Sequence, residues 1–422
     1  MYLAGYVRYP MDHEKHRRTK LSMITEHEFV ARRARLQELI ASRGANHFVA
    51  TSSDSIFYLC GASFEALERP FFLIVPREGE PRLVVPFLEK DHLKKAKALN
   101  HDQIFTYWDY PSPVDRSWDT VLERHGQLSA GFLFDSACPI SVAEHLTALG
   151  GKHAPLIEQL RLVKSAAEIQ MIRRAARYAD QGVTELFNCS YYGATVAEGF
   201  ARTSRVTQSI IRDTPDWDPL NTKVLMVSFP APWSAMPHSV PAVNALLQEG
   251  PHVALVLTRV NAYAAECERT YFTASPTKIE SDMFSLMVEA RNVGLSMLRP
   301  GVACAEVDSS VNRFLAERGF NAPEQRLHRV GHGFGLGNHE GPWLAEGSQD
   351  VLAENMVASI EPGIYLDGQG GYRHSDTILI TDRGYELLTH APGVKVPLVF
   401  SEKTLRKRFF RFMVTRALGL KV

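Results

Sequence analysis

The 422-residue chain has no surplus of charge of either sign: 47 Lys and Arg stand against 47 Asp and Glu. Without a broad cationic surface it has no means of wrapping a polyphosphate, so the expected partner is a small molecule and not nucleic acid. Cysteine is scarce. Cys60, Cys138, Cys189, Cys267 and Cys304 are odd in number and contain no CxxC pair, which fits reduced thiols better than a disulfide framework and a cytoplasmic location better than a secreted one. Long apolar runs are missing too: no window reaches about 18 uncharged apolar residues, and the opening stretch MYLAGYVRYP is broken by Arg8, so no membrane span or signal peptide is expected. No fixed-period repeat is visible, which excludes solenoids and propellers. What is there is a chain that is 45% apolar and too long for one ordinary core, so two domains are expected.

Periodicity supplies the organisation. Thr25 to Ile40 reads as a helix, with Thr25 and Glu28 as a capping box and Phe29, Leu36, Leu39 and Ile40 near one face. A strand-like run follows at Phe48 to Ala50, and Phe71 to Val75 and Arg82 to Val85 flank the turn composition PREGEP as a hairpin. The texture changes after Gly150 and Gly151. Ser165 and Glu168 form a second capping box ahead of Ile169, Ile172, Ala176 and Ala179 at helical spacing. A further helix is expected from about Ser281 to Leu298, with Met283, Leu286, Met287, Ala290 and Met297 on its apolar side and Pro300-Gly301 as its stop. Strand-like runs at 224–227, 253–260, 357–360 and 377–381 complete an α+β sheet with helices on one face. The expected divisions are an α/β domain over 1–155, a catalytic domain over 156–400 and a basic amphipathic tail over 401–422. That tail holds Leu405, Phe409, Phe412 and Leu418 among Lys and Arg, and is expected to dock on the body or on a second subunit.

Four segments of the second domain gather polar groups in apolar surroundings: AMPHSVP with His238, AECERTYF with Glu266, Glu268 and Arg269, GHGFGLGNHEGP with His332, His339 and Glu340, and SIEPGIYLDGQGGYRHSD with Glu361, Arg373, Ser375 and Asp376. A single His or Glu at a strand end is more often structural than catalytic. Their order and spacing raise the odds.

LRLVKSAAEI, Pro237-His238, Gly331 to Gly335 with His339 to Pro342, and Glu361 to Gly363 followed by GYRHSDTILIT together resemble the pita-bread family of methionine aminopeptidase, aminopeptidase P, prolidase and creatinase. The resemblance covers most of the chain. It implies an N-terminal α/β domain, a pita-bread catalytic domain and a homodimer. In the peptidase members two divalent metals are held by two Asp, one His and two Glu. Carried onto this chain, the His is His332 and one Glu is Glu361, while Glu266 takes the second Asp position. Thr258 is expected at the first Asp position and Ser375 at the last Glu, neither of them an anion. The pattern Glu268-Arg269-Thr270 resembles the creatinase branch, which hydrolyses a C–N bond without metal. That branch implies His238 as proton shuttle, Glu268 and Glu361 as its partners, and His332 and His339 as donors; Glu266, Trp343 and Arg373 are expected to face substrate, and the family resemblance implies the same of Arg69 across the dimer. Trp343 stands where creatinase-like chains supply an Arg, as an apolar or cation–π wall.

The leading expectation is therefore a metal-independent hydrolase of a C–N bond in a small amidine, guanidino, cyclic-amide or modified amino-acid substrate, with no cofactor. An Xaa-Pro metallo-exopeptidase is the alternative, using one Mn or Zn on Glu266, His332 and Glu361 and a substrate of dipeptide size. A non-catalytic binding protein is the third, disfavoured because unneeded buried charge is costly to keep.

Overall fold

Two helix starts show how closely the local chemistry is followed. At Ser165 the capping box is complete: Ser165 N donates to Glu168 Oε2 at 3.0 Å and Glu168 N donates to Ser165 Oγ at 3.3 Å. At Thr25 only half of it forms, because the Glu28 carboxylate turns to Arg32 Nε at 3.2 Å and leaves Thr25 Oγ1 to accept from Glu28 N alone. In the computed structural model the described residues are 24–420, apart from Lys95, Tyr110 and Ala130. The reading of the first twenty residues lies outside them.

The chain divides into two units, the first closing at Leu162 and the second opening at Val163. The first contains a six-stranded mixed sheet ordered Ile104–Tyr107, Arg82–Pro86, Phe72–Pro76, His47–Ala50, Leu133–Phe134, Lys152–His153. The expected hairpin lies at its middle, with Phe72 opposite Val84. The short helix Leu156–Leu162 also falls in this unit.

The second unit is built on an antiparallel sheet ordered Glu340–Leu344, Gly331–Gly333, Val357–Ile360, Ser375–Ile380, Tyr263–Tyr271, His252–Val260, Lys223–Phe229, with Tyr385–Leu387 pairing Ser375–Ile380. This is the α+β, helix-backed sheet that the periodicity implies. Tyr263–Tyr271 is buried along its whole length, so its residues lie on two buried faces and carry no apolar–polar alternation to betray it. One face of the sheet is covered by the helix Ala166–Cys189. Gly182 sits there so close to Val256 that an added Cβ would come within 2.5 Å of it.

The helix expected from Ser281 begins earlier, as Lys278–Met297, because Thr277 and Glu280 form a capping box of their own. Its buried side is Phe284, Met287, Val288, Ala290, Arg291, Gly294 and Leu295, displaced from the expected stripe by the pull of Phe284 into the core. On the helix-covered face lies a fully buried ion network. Asp376 Oδ1 accepts from Arg269 Nη2 at 2.7 Å, Asp376 Oδ2 pairs with Arg291, and Thr389 Oγ1 donates to Asp376 Oδ1 at 2.8 Å.

The first helix of this unit is tied down by much later segments. Asp180 accepts from the backbone N–H of His390 and Ala391, at 2.8 and 2.9 Å, and Arg173 pairs with Glu386. The tail helix Leu405–Leu418 docks by Val414, and Lys407 Nζ donates to Ser190 O at 2.8 Å. No described helix is long and apolar enough to cross a membrane.

Asp376→Ala leaves two buried guanidinium groups without their carboxylate and should cost about 3–5 kcal/mol in urea unfolding. Burial pushes this carboxyl up, but Arg269 and Arg291 together hold it below the usual carboxylate range. Its contribution is therefore complete above the unfolded Asp range and is lost as pH falls through and below it. An unfolding curve for the variant that matches wild type would contradict this.

Candidate active site

The site is written by strand alternation. In Tyr263–Tyr271, Glu266 and Glu268 point to one face and Cys267 and Arg269 to the other. Register then fixes their neighbours: Ser375 lies opposite Glu268, Asp376 opposite Cys267, and Leu257 opposite Glu266. Ser359 lies opposite Thr377, and Glu361 N donates to Val330 O at 2.8 Å just beyond the end of Val357–Ile360. His332 N donates to Ser359 Oγ at 2.9 Å, and its Nε2 lies 3.0 Å from Glu361 Oε1. Glu266, Glu268, Glu361 and His332 thus converge on the face away from the helix Ala166–Cys189.

Thr258 does not belong to this group. It pairs with Ala265 and points to the opposite face, where its hydroxyl donates to Ala175 O at 2.8 Å. The residue facing Glu266 across the strands is the apolar Leu257. The hairpin joining the two strands turns at Asn261 and Ala262, both at positive φ, and this tight turn sets a register that could not be counted from the sequence.

Two overlapping donor triads result: Glu266, His332 and His339, and Glu266, Glu268 and Glu361, whose ligand atoms lie within 4.8 Å of one another in each triad. His332 and His339 are stacked edge to face with ring centroids 4.1 Å apart. Glu266 is common to both triads, and its Oε1 is buried with no hydrogen-bond partner. Burial, then the neighbouring Glu361 and Glu268 carboxylates, push Glu266 well above the ordinary Glu value. Burial also pushes Glu268 up, to about 7, against the pull of Arg373, whose Nη2 donates to Glu268 Oε1 at 2.8 Å while its Nε binds the other oxygen. Glu361 goes the other way: although burial works against ionisation, His332 and Arg373 hold it below the carboxylate range. Burial and the adjacent His332 push His339 down to about 4, so its imidazole is neutral at physiological pH. A buried group of three carboxylates, one of them with an unpartnered oxygen, beside two imidazoles is a donor set that a divalent cation fits in charge and ligand type.

Of the other candidates, His238 lies exposed in the segment after the short turn Trp233–Ala235 and is electrostatically coupled to His328 and His339. Arg373 is occupied by Glu268 and by Tyr365, to whose Oη its Nη1 donates at 3.1 Å. Trp343 stands opposite His332 and carries the Arg329 guanidinium 4.5 Å above its ring. Arg69 belongs to the first unit, where its Nη1 lies 3.4 Å from Asp109.

Three residues near the site were missed from the sequence: His328, Arg329 and Tyr365. The Tyr365 hydroxyl receives Arg373 and lies 2.6 Å from His328 Nε2, while His328 Nδ1 lies 2.7 Å from Arg329 O. Tyr365 therefore donates to a neutral His328 whose other nitrogen donates to the carbonyl. The signal was available, since His328-Arg329 directly precedes the GHGFG segment.

Residues 170–382 match the family described as Metallopeptidase family M24, and residues 32–163 match the creatinase/prolidase N-terminal domain. The chain belongs to metallopeptidase family M24. It is 28% identical over 352 residues to an uncharacterized peptidase of Staphylococcus aureus, covering 81% of this chain and 93% of that relative. It is similar in structure to dipeptidase PepE from Mycobacterium ulcerans, with a TM-score of 0.75 and 26% identity over 89% of this chain and 99% of that one. The prolidase from Pyrococcus horikoshii OT3 shares the fold at a TM-score of 0.72, with 24% identity over 86% of this chain and 99% of its own.

The M24 chain is thus a hydrolase of a peptidase family with the pita-bread fold. The expected absence of a metal is overturned by the family, a metallopeptidase family, and by the carboxylate and imidazole cluster. The metal-free amidine hydrolase goes with it. Counting lost acidic positions missed that Glu268 brings a further carboxylate into the cluster.

Because Glu266 keeps a proton well above the ordinary Glu range when no cation is bound, Mn²⁺ binding should release protons and tighten as pH rises, and Glu266→Gln should weaken it at least tenfold. The stability Glu266 supports in chelator-treated protein is complete below the unfolded Glu range and is lost as pH rises through the raised folded value. Mn²⁺ should remove that loss. Calorimetry in buffers of different ionisation heat, with equal heats in all of them, would contradict the proton release.

Proposed function

We propose that this M24 hydrolase is a metal-dependent exopeptidase that acts on short peptides at an Xaa-Pro bond. The observation that supports it most is Glu266, whose carboxylate is shared by the two donor triads and whose buried Oε1 has no hydrogen-bond partner. The solved relatives whose names are prolidase, dipeptidase and Xaa-Pro dipeptidase agree with this reading.

Glu266, Glu361 and His332 would hold the cation, with Glu268 and His339 completing the two triads. A bound divalent cation supplies a polarised scissile carbonyl and a water acidic enough to attack at neutral pH. The remaining work falls to this chain's side chains. Arg373 fixes the orientation of Glu268 by its bidentate contact. His339, neutral at physiological pH, can offer a ring nitrogen to the cation or an N–H to a substrate oxygen. His238, exposed on the rim, can carry a proton to the leaving nitrogen. The same proposal includes a homodimer in which Arg69 of one subunit contacts substrate in the cleft of the other. Sedimentation should give twice the chain mass, and a monomer at working concentration would remove that part.

Hydrolysis of an Xaa-Pro dipeptide should vanish on chelation and return with Mn²⁺ or Zn²⁺. His332→Ala should lower kcat/KM by on the order of 10²-fold or more while the fold survives, and His238→Ala should lower kcat by on the order of 10²-fold. Full peptidase activity in metal-stripped protein would overturn the reading.

A further inference from the structure

The tail helix Leu405–Leu418 is docked on the body by the wrong side for a simple cap. Lys407 Nζ donates to Ser190 O at 2.8 Å, Arg411 donates to Gly193 O, the Arg202 guanidinium lies 3.7 Å over the Phe410 ring, and Val414 is 5% exposed. Lys407, Phe410, Arg411 and Val414 follow at steps of three and four and so make one face of the helix. Leu405, Phe409, Phe412 and Arg416 follow at the same steps and make the opposite face. There Leu405 is 82% exposed, Phe409 65% and Phe412 54%, with Met413 exposed beside them. A helix that only closes the body turns its apolar stripe inward. This one has two cations among its docking residues and carries most of its apolar stripe outside.

The rotation that presents the stripe is held in place. Lys407 and Arg411 stand one turn apart and are both fixed to backbone carbonyls of the segment 190–193, so the helix cannot roll its stripe onto the body without breaking both bonds. Arg406 and Arg408 are exposed on the two sides of the stripe, and Arg416 is exposed within it. Arg408 and Arg416 have no ion pair among the described residues. After Glu402 the sequence has seven Lys and Arg and no Asp or Glu.

This pattern decides what can cover the face. A second copy of the helix would set guanidinium against guanidinium with no acid between them. Nucleic acid would satisfy the cations and leave the Leu and Phe side chains in water. An anionic bilayer surface offers both layers at once, with phosphates at the level of the cations and acyl chains beneath them.

We propose that the outward face of Leu405–Leu418 seats the protein on the surface of an anionic phospholipid bilayer, with Leu405, Phe409 and Phe412 entering the acyl boundary and Arg406, Arg408 and Arg416 meeting lipid phosphates. The helix lies in the plane of the surface: its 14 residues reach about 21 Å, short of the roughly 30 Å hydrocarbon core. None of these residues belongs to the donor triads, so the inference goes beyond the peptidase reading and stands or falls apart from it.

The test uses the full chain and two vesicle preparations, one of phosphatidylcholine and one of equimolar phosphatidylcholine and phosphatidylglycerol, with binding read by flotation. Wild type should partition to the anionic vesicles at least tenfold more strongly than to the zwitterionic ones. Phe409→Ser combined with Phe412→Ser should lower that binding at least tenfold at every salt concentration, because burial of apolar surface is not screened. Arg408→Gln combined with Arg416→Gln should lower it at low salt and flatten its salt dependence. Far-ultraviolet circular dichroism and Mn²⁺ affinity equal to wild type would show that the body of each variant is intact. Equal binding of wild type to the two vesicle types, or undiminished binding by both variants, would overturn the proposal. A wild type that ignores vesicles, and sediments as a dimer that the Phe409→Ser, Phe412→Ser variant cannot form, would give the face to a second copy instead. Binding to duplex DNA without binding to vesicles would give it to nucleic acid.

Discussion

The period-two alternation of one buried strand is the constraint on which the second unit depends. Along Tyr263–Tyr271 the side chains at 266 and 268 are acids facing the open side of the sheet, while those at 267 and 269 face the helices. The strand puts like charges next to one another on one side and must neutralise a guanidinium on the other. Each side is resolved differently. The helix side is closed by a protein anion, Asp376, shared between Arg269 and Arg291. The open side has Arg373 for Glu268 and His332 for Glu361, and among the described residues no hydrogen-bond partner for Glu266 Oε1. Unpaired charge in a water-poor place is expensive, so the strand leaves a gap that only a proton or a cation can fill.

Much of the architecture was readable because local rules and global fold agree. The capping box at Ser165, the hairpin around PREGEP and the strand-like run at 357–360 each stand where their residues point. The recognition of the family rested on short ordered motifs, and the matches over 32–163 and 170–382 bear it out. What could not be read was the register. Thr258 and Leu257 are neighbours in the chain and differ by one step, but a step of one reverses the face. The choice was made by the turn at Asn261 and Ala262, whose length no periodicity reveals.

The same gap explains the misjudged metal. Losing an acid at one position of a motif reads, in a linear sequence, as loss of the site. In three dimensions Glu268 stands on the same face as Glu266, two residues along the strand, and its carboxylate joins Glu266 and Glu361. The creatinase-like residues Glu268-Arg269-Thr270 therefore add to the acidic group. Tyr365 and Arg329 escaped notice for a related reason. Each acts through partners far away in sequence, Tyr365 through Arg373 and His328, Arg329 through Trp343, and neither belongs to the polar residues by which the motifs were recognised.

The fastening of the helix Ala166–Cys189 has a consequence for how the unit comes into being. Its bonds to His390 and Glu386, and the bond of its C-cap Ser190 to Lys407, join residues separated by 210, 213 and 217 positions. Contacts so distant in sequence make a chain slow to fold, because its order must be fixed before the bonds that reward it can close. Closing a loop of that size costs little more than closing one of half the length, so once the sheet has assembled the helix can be secured cheaply. The unit should then behave as one cooperative block: the acidic face forms with the sheet, and it is held in its final place once the first helix is fastened across it.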